Sequence, residues 1–123
     1  MTAQVRGRRG TATRRGAHRC PTCSSTPAEP AEIAAQRLDL EVEWFVLTGV
    51  HLDQLVVRRF CAQCQPRGTV YVLVCRVCGD GPMLVGPLAE SALAGQLPEI
   101  VAKAVTARGW RPTRDRAGWV CCQ

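Results

Sequence analysis

The sequence predicts a small α+β protein organised by bound metal, with short β-hairpins and one helix in its C-terminal half. Three observations carry this expectation. Eight cysteines fall into the pairs Cys20/Cys23, Cys61/Cys64, Cys75/Cys78 and Cys121/Cys122. Two residues between cysteines let a tight turn aim both sulfurs at one ion, and a tetrahedral site takes two such turns. The segments between the pairs include β-prone runs at 38–44, 55–60 and 69–74. One stretch, 98–108, carries a single helical stripe of Ile100, Val101, Ala104 and Val105.

In chain order, residues 1–19 read as a disordered tail, because they are small, polar and Arg-rich without periodicity. Residues 24–31 read as a loop, followed by a short helix over 31–37. Leu38, Leu40, Val42 and Trp44 then alternate with Asp39, Glu41 and Glu43. Period-two alternation predicts a half-buried strand, extending to 47. It places the three acids on one strand face, solvated or paired with Arg58 across a hairpin. A turn from Thr48-Gly49 to Asp53 leads to a return strand over 55–60, which delivers the chain to Cys61.

Pro66 and Gly68 mark a turn, and 69–74 forms a strand ending at Cys75. Gly79 supplies the positive φ that the exit from a cysteine turn requires. A turn at 80–82 precedes a short strand at 83–85 and one or two helical turns at 88–94. Pro98 suits a helix N1 position, Glu99 suits the N-terminal dipole, and Gly109 supplies the stop. Residues 119–121 form a last short strand. The chain thus divides into a tail (1–19), a first module (20–64) and a second module (65–123), arranged as a loose internal repeat.

Cys20-Pro21-Thr22-Cys23 and Cys75-Arg76-Val77-Cys78-Gly79 resemble zinc-ribbon knuckles, and Cys61-Ala62-Gln63-Cys64 does so less distinctly. The resemblance covers the cysteines and their adjoining strands. It implies two zinc-ribbon-like modules, each with a structural zinc ion supporting a β-hairpin, often with a nucleic-acid or protein contact. The first implied site is Cys20, Cys23, Cys61 and Cys64, and the second is Cys75, Cys78, Cys121 and Cys122. Two zinc ions are expected, or one if the terminal pair does not ligate. Adjacent Cys121 and Cys122 depart from the two-residue spacing and both ligate only through a strained turn. A three-cysteine site completed by water, His18 or His51 is the alternative there. Pairing Cys61/Cys64 with Cys75/Cys78 is a further alternative, leaving ten residues between the pairs. Disulfides and redox-active thiols compete with metal, and iron–sulfur ligation lacks its specific spacings. No apolar h-region occurs in residues 1–19, so the expected compartment is the reducing cytoplasm.

The net charge of +6 is carried by Arg6, Arg8, Arg9, Arg14, Arg15 and Arg19, since the other ten basic residues balance ten acids. A mobile arginine arm beside a metal module predicts salt-sensitive contact with nucleic-acid phosphates. Trp110 and Trp119 flank Arg108, Arg111, Arg114 and Arg116. They read as core residues before they read as a stacking surface. His18 reads as part of the basic tail and His51 as a loop residue. No carboxylate–histidine or serine set stands ready for catalysis, phosphate-cradling Gly motifs are absent, and all-thiolate ligation implies closed structural sites. The expectation is a non-enzymatic structural-zinc protein contacting nucleic acid. A protein-interaction adaptor and a zinc-thiolate redox switch are the competing functions, and no membrane partner is expected.

Overall fold

Ala31, Glu32, Ala34, Ala35, Gln36 and Arg37 are strong or fair helix formers. In the computed structural model, which describes residues 18–121, they sit in a twelve-residue helix, α1 (Pro30–Glu41). Pro30 occupies the first turn, where its missing N–H costs nothing. The buried side of α1 runs through Ile33, Gln36 and Leu40, spaced three and four apart, with Leu40 buried and Leu38 64% exposed. The strand expected over 38–44 is therefore helix as far as Glu41. The alternation that suggested it straddles a helix end and a strand start, and helix propensity decides its first half.

The described chain forms two compact units. One comprises the described residues up to Glu41 together with Arg59–Gln65. It holds α1 and two cysteine turns, and it has no strand among its described residues. The β-hairpin expected to complete a ribbon here, in a 20–64 module, joins the other unit instead.

That other unit comprises Val42–Arg58 and the residues from Pro66 onward. Its strands are β1 (Trp44–Thr48), β2 (Gln54–Arg58), β3 (Val70–Val72) and β4 (Met83–Val85), in the sheet order β2-β1-β4-β3. β1 is antiparallel to β2, with Trp44 opposite Arg58. It is parallel to β4, with Phe45 beside Leu84. β3 is antiparallel to β4, with Tyr71 opposite Leu84. Beyond β3 the pairing continues through Leu73 N to Pro82 O (3.0 Å) and Cys75 N to Asp80 O (2.8 Å).

Two helices follow: α2 (Pro87–Leu93), where one or two helical turns were expected at 88–94, and α3 (Glu99–Ala107), where the helix was expected over 98–108. Val101 and Val105, four apart on α3, are fully buried with Phe45, Leu84 and Ala89. Leu73, Leu88 and Trp110 complete this core. Gly109, at φ 94, ends α3 as its sequence implied. A two-stranded hairpin closes the unit: β5 (Arg111–Pro112) pairs with β6 (Trp119–Val120). A two-residue strand containing proline carries no pattern signal, so β5 is not legible in the sequence.

The acids also fall differently from the sequence reading. Asp39 and Glu41 lie on α1, and Glu43 meets Arg108 (2.5 Å) rather than Arg58. Arg108 also stands over the Phe45 ring at 5.4 Å from its centroid. No helix among the described residues is long and apolar enough to cross a membrane.

Candidate metal centres

All three Cys-x-x-Cys turns close in the same way. The N–H four residues after the first cysteine donates to that cysteine's carbonyl. The bonds are Ser24 N to Cys20 O (2.7 Å), Gln65 N to Cys61 O (3.1 Å) and Gly79 N to Cys75 O (2.9 Å). Ser24 and Gly79 take left-handed φ values of 65° and 81°, which turn the chain away from the sulfurs. The first Sγ of a turn is then free to collect N–H bonds. Cys75 Sγ accepts from Val77 N (3.3 Å), Cys78 N (3.5 Å) and Cys121 N (3.2 Å). Cys20 Sγ accepts from Cys61 N (3.4 Å).

The turns bring seven thiols into two clusters. Cys20, Cys23, Cys61 and Cys64 place their sulfurs within 4.8 Å of one another, and so do Cys75, Cys78 and Cys121. Sulfur separations are 4.0 Å for Cys20–Cys64, 3.7 Å for Cys23–Cys61 and 3.4 Å for Cys78–Cys121. An ion bound tetrahedrally by sulfurs at about 2.3 Å sets sulfurs about 3.8 Å apart. A disulfide needs about 2.05 Å, and none of the seven described cysteines forms one. Both clusters can therefore hold a metal ion. Cys20, Cys61 and Cys75 are buried, while Cys23 and Cys78 reach solvent.

The long-range grouping joins 20/23 to 61/64 and 75/78 to 121, not Cys61/Cys64 to Cys75/Cys78. Cys122 lies outside the described residues, as do Arg6, Arg8, Arg9, Arg14 and Arg15; Arg19 is described and exposed. Neither His18 nor His51 joins a cluster. His18 is half-buried and His51 stands exposed in the β1–β2 turn.

Three residues that position the first cluster were not identified from sequence. Gln36, on the inward side of α1, donates through Nε2 to Ser25 O (3.0 Å) and to His18 O, which ties the helix to the first turn. Arg59 Nη1 donates to Leu40 O (2.8 Å) and satisfies a carbonyl at the end of α1. Ser25 Oγ lies 3.9 Å from Cys61 Sγ. The signal for Gln36 was available: it is the polar member of the Ile33–Gln36–Leu40 stripe.

The thiols do not titrate alike. Burial pushes the Cys20 thiol up, but N–H bonds from Cys23, Cys61 and Thr22 together outweigh it and leave it at about 6. Burial of Cys75 is likewise outweighed, by Cys78, Cys121 and Val77 N–H groups, leaving about 5. Ser25 lowers Cys23. Cys64 is pushed up to about 12, first by its hydrogen bond with Cys23, then by burial and the neighbouring thiols. At neutral pH the metal-free first cluster thus keeps a proton on Cys64 that a metal must displace. Affinity at this site falls about tenfold per pH unit for each proton released. It falls with that slope or more between pH 8 and 7, and more steeply below about 6, where Cys20 also takes up a proton. Competition with a chromophoric chelator across this range measures the slope; a pH-independent affinity contradicts it.

Comparison with family models, curated proteins and solved structures returns no match for this chain.

Proposed function

We propose that this chain is a non-enzymatic structural-zinc protein that contacts nucleic acid through its basic N-terminal arm. The observation that carries the metal reading is the sulfur spacing, which fits the edge of a zinc–thiolate tetrahedron. Soft thiolates in tetrahedral array select zinc over hard cations. Cys122, adjacent to Cys121 in the sequence and outside the described residues, would supply the fourth ligand of the second site. Two all-thiolate sites leave no coordination position for substrate, so the metal stabilises structure.

Zinc ligated by four thiolates carries a net charge of about −2, so the folded body is anionic once loaded. The arm supplies the positive charge for phosphates. Elemental analysis of protein purified without added metal is expected to give about two zinc ions per chain. The arm is tested on the full chain against a variant lacking residues 1–17, which retains the His18 carbonyl that Gln36 uses. Five arginines lie in the removed segment. The log–log dependence of affinity on salt is expected to flatten by up to about 3.5 units for a short single-stranded oligonucleotide, about 0.7 per arginine. Unchanged affinity and slope would remove the arm as the contact, and with it the main reason for preferring nucleic acid over a protein partner.

A further inference from the structure

The second unit contains a cavity of about 310 Å³ that the metal sites do not use. One part of its wall is apolar and aromatic, with Tyr71, Leu97 and Trp119. Another part is lined by two arginines, Arg76 and Arg116. Among the described residues no carboxylate lines it. Asp115 lies in the same loop, but its carboxylate accepts from Thr113 Oγ1 (2.5 Å) and Ala117 N (3.0 Å). One acid against two guanidiniums leaves the mouth cationic.

Separate features place the two arginines at the cavity. Arg76 belongs to the second cysteine turn, yet its side chain crosses to the β5–β6 loop and donates to Ala117 O (3.1 Å). It lies so close over Gly118 that a Cβ there would stand 2.5 Å from Arg76 Nε. Arg116 adopts φ 62°, a left-handed conformation in the β5–β6 loop where Gly or Asn is the ordinary occupant. A non-glycine residue there bears a cost of about 1 kcal/mol. The loop around it is fixed by Thr113 N to Gly118 O (2.9 Å) and Arg116 N to Thr113 O (2.9 Å).

We infer that this cavity is a nucleotide-binding site, taking a planar base against Tyr71 and Trp119 and a phosphate between Arg76 and Arg116. Guanidinium forks match phosphate oxygens, and aromatic rings accept any base by stacking. The volume suits one nucleotide and exceeds what an inorganic anion fills. The nucleotide comes either free or as one residue of a single strand. The second source rests on the nucleic-acid reading above; the first stands without it.

The test uses the full zinc-loaded chain and amide NMR. The probes are AMP, UMP, ribose 5-phosphate, adenosine and a twelve-residue thymidine oligonucleotide. AMP and UMP are expected to shift the Ala117, Gly118 and Trp119 signals saturably, and to bind more tightly than either fragment. Arg116→Gly removes the guanidinium and relaxes the left-handed backbone, so the fold is retained; it is expected to weaken AMP roughly tenfold or more. Gly118→Ala displaces the Arg76 side chain and is expected to act similarly, while Arg67→Ala, exposed in another loop, leaves binding unchanged. Ribose 5-phosphate binding as tightly as AMP, or no shift at millimolar nucleotide, overturns the inference. So does an oligonucleotide that binds Arg116→Gly as well as wild type while free nucleotides do not bind, an outcome that leaves the arm reading intact. Free nucleotides binding while the oligonucleotide does not supports the site and removes the arm reading.

Discussion

Stripping the metal from the full chain is expected to melt α1 and its two cysteine turns while the four-stranded sheet stays folded. The buried cluster of the first unit consists of Cys20, Leu40 and Cys61, with Cys64 packed against it. Phe60 is also buried in this unit, so its large apolar side chains are Leu40 and Phe60, each contributing about 2–3 kcal/mol. Fixing the backbone costs about 1–2 kcal/mol for each residue ordered. Apolar burial this small does not cover the ordering cost of the unit, and a metal ion held by the four thiols would supply the difference. Structural zinc binding in small peptides is worth about 10–16 kcal/mol near neutral pH, which is the right size. The sheet unit buries Phe45, Leu84, Val101 and Val105 completely, around Leu73, Leu88 and Trp110. It has a core of its own. Cys20→Ser should reproduce the selective loss at the first site: hydrogen-exchange protection disappears over Pro30–Glu41 and persists in β1 and β4. Far-ultraviolet circular dichroism should fall by about the contribution of a twelve-residue helix. Retained protection on α1 after complete chelation would overturn the dependence of this unit on metal.

Spacing made the cysteine clusters legible in the sequence. A two-residue gap has one economical turn, and that turn aims two sulfurs whatever surrounds it. The α3 stripe and the short β4 strand were legible for similar reasons of local pattern. The topology was not. Val42–Arg58 lies between the two cysteine pairs of the first cluster, yet β1 runs beside β4, which is nearly forty residues later by sequence number and parallel to it. Nothing local announces a parallel partner, because the pairing depends on Phe45 and Leu84 burying the same side of the sheet. Leu38 to Trp44 misled for a different reason. Its alternation satisfies a strand template, but the preceding alanines carry the helix through to Glu41. The Arg76–Arg116 cavity was invisible too: the β5–β6 loop brings together residues forty positions apart.

The largest single-residue effect is expected at Gly81, where Ala should collapse the arm that carries Cys75 and Cys78. A Cβ on Gly81 would lie 1.6 Å from Leu73 O, 2.8 Å from Leu73 C and 3.2 Å from Trp110 Cη2. The first two are backbone atoms, so no rotamer change relieves the overlap. Nor can Leu73 withdraw easily. Its N–H is bonded to Pro82 O, Cys75 N–H is bonded to Asp80 O, and the Leu73 side chain is buried beside Trp110. Gly81 is thus pressed against the opposite strand between two bonds that hold the strands at their spacing. Relief requires breaking both bonds, or expelling Leu73 from the core. Either costs about 3 kcal/mol or more. The consequence reaches the metal, because the same arm positions Cys75 Sγ to receive Cys121 N–H. Gly81→Ala should therefore lower the denaturation midpoint of the sheet unit sharply and, on the zinc reading proposed above, reduce bound zinc to that of the first site. Gly68→Ala is the comparison. Gly68 has φ 97 and nothing within 4 Å of a built Cβ, so it pays only the left-handed penalty of about 1 kcal/mol. Denaturant melts of the two variants, each with its zinc content, separate the clash from the φ effect. Equal destabilisation, or full zinc content in Gly81→Ala, would mean that the two strands can part without disturbing the second metal centre.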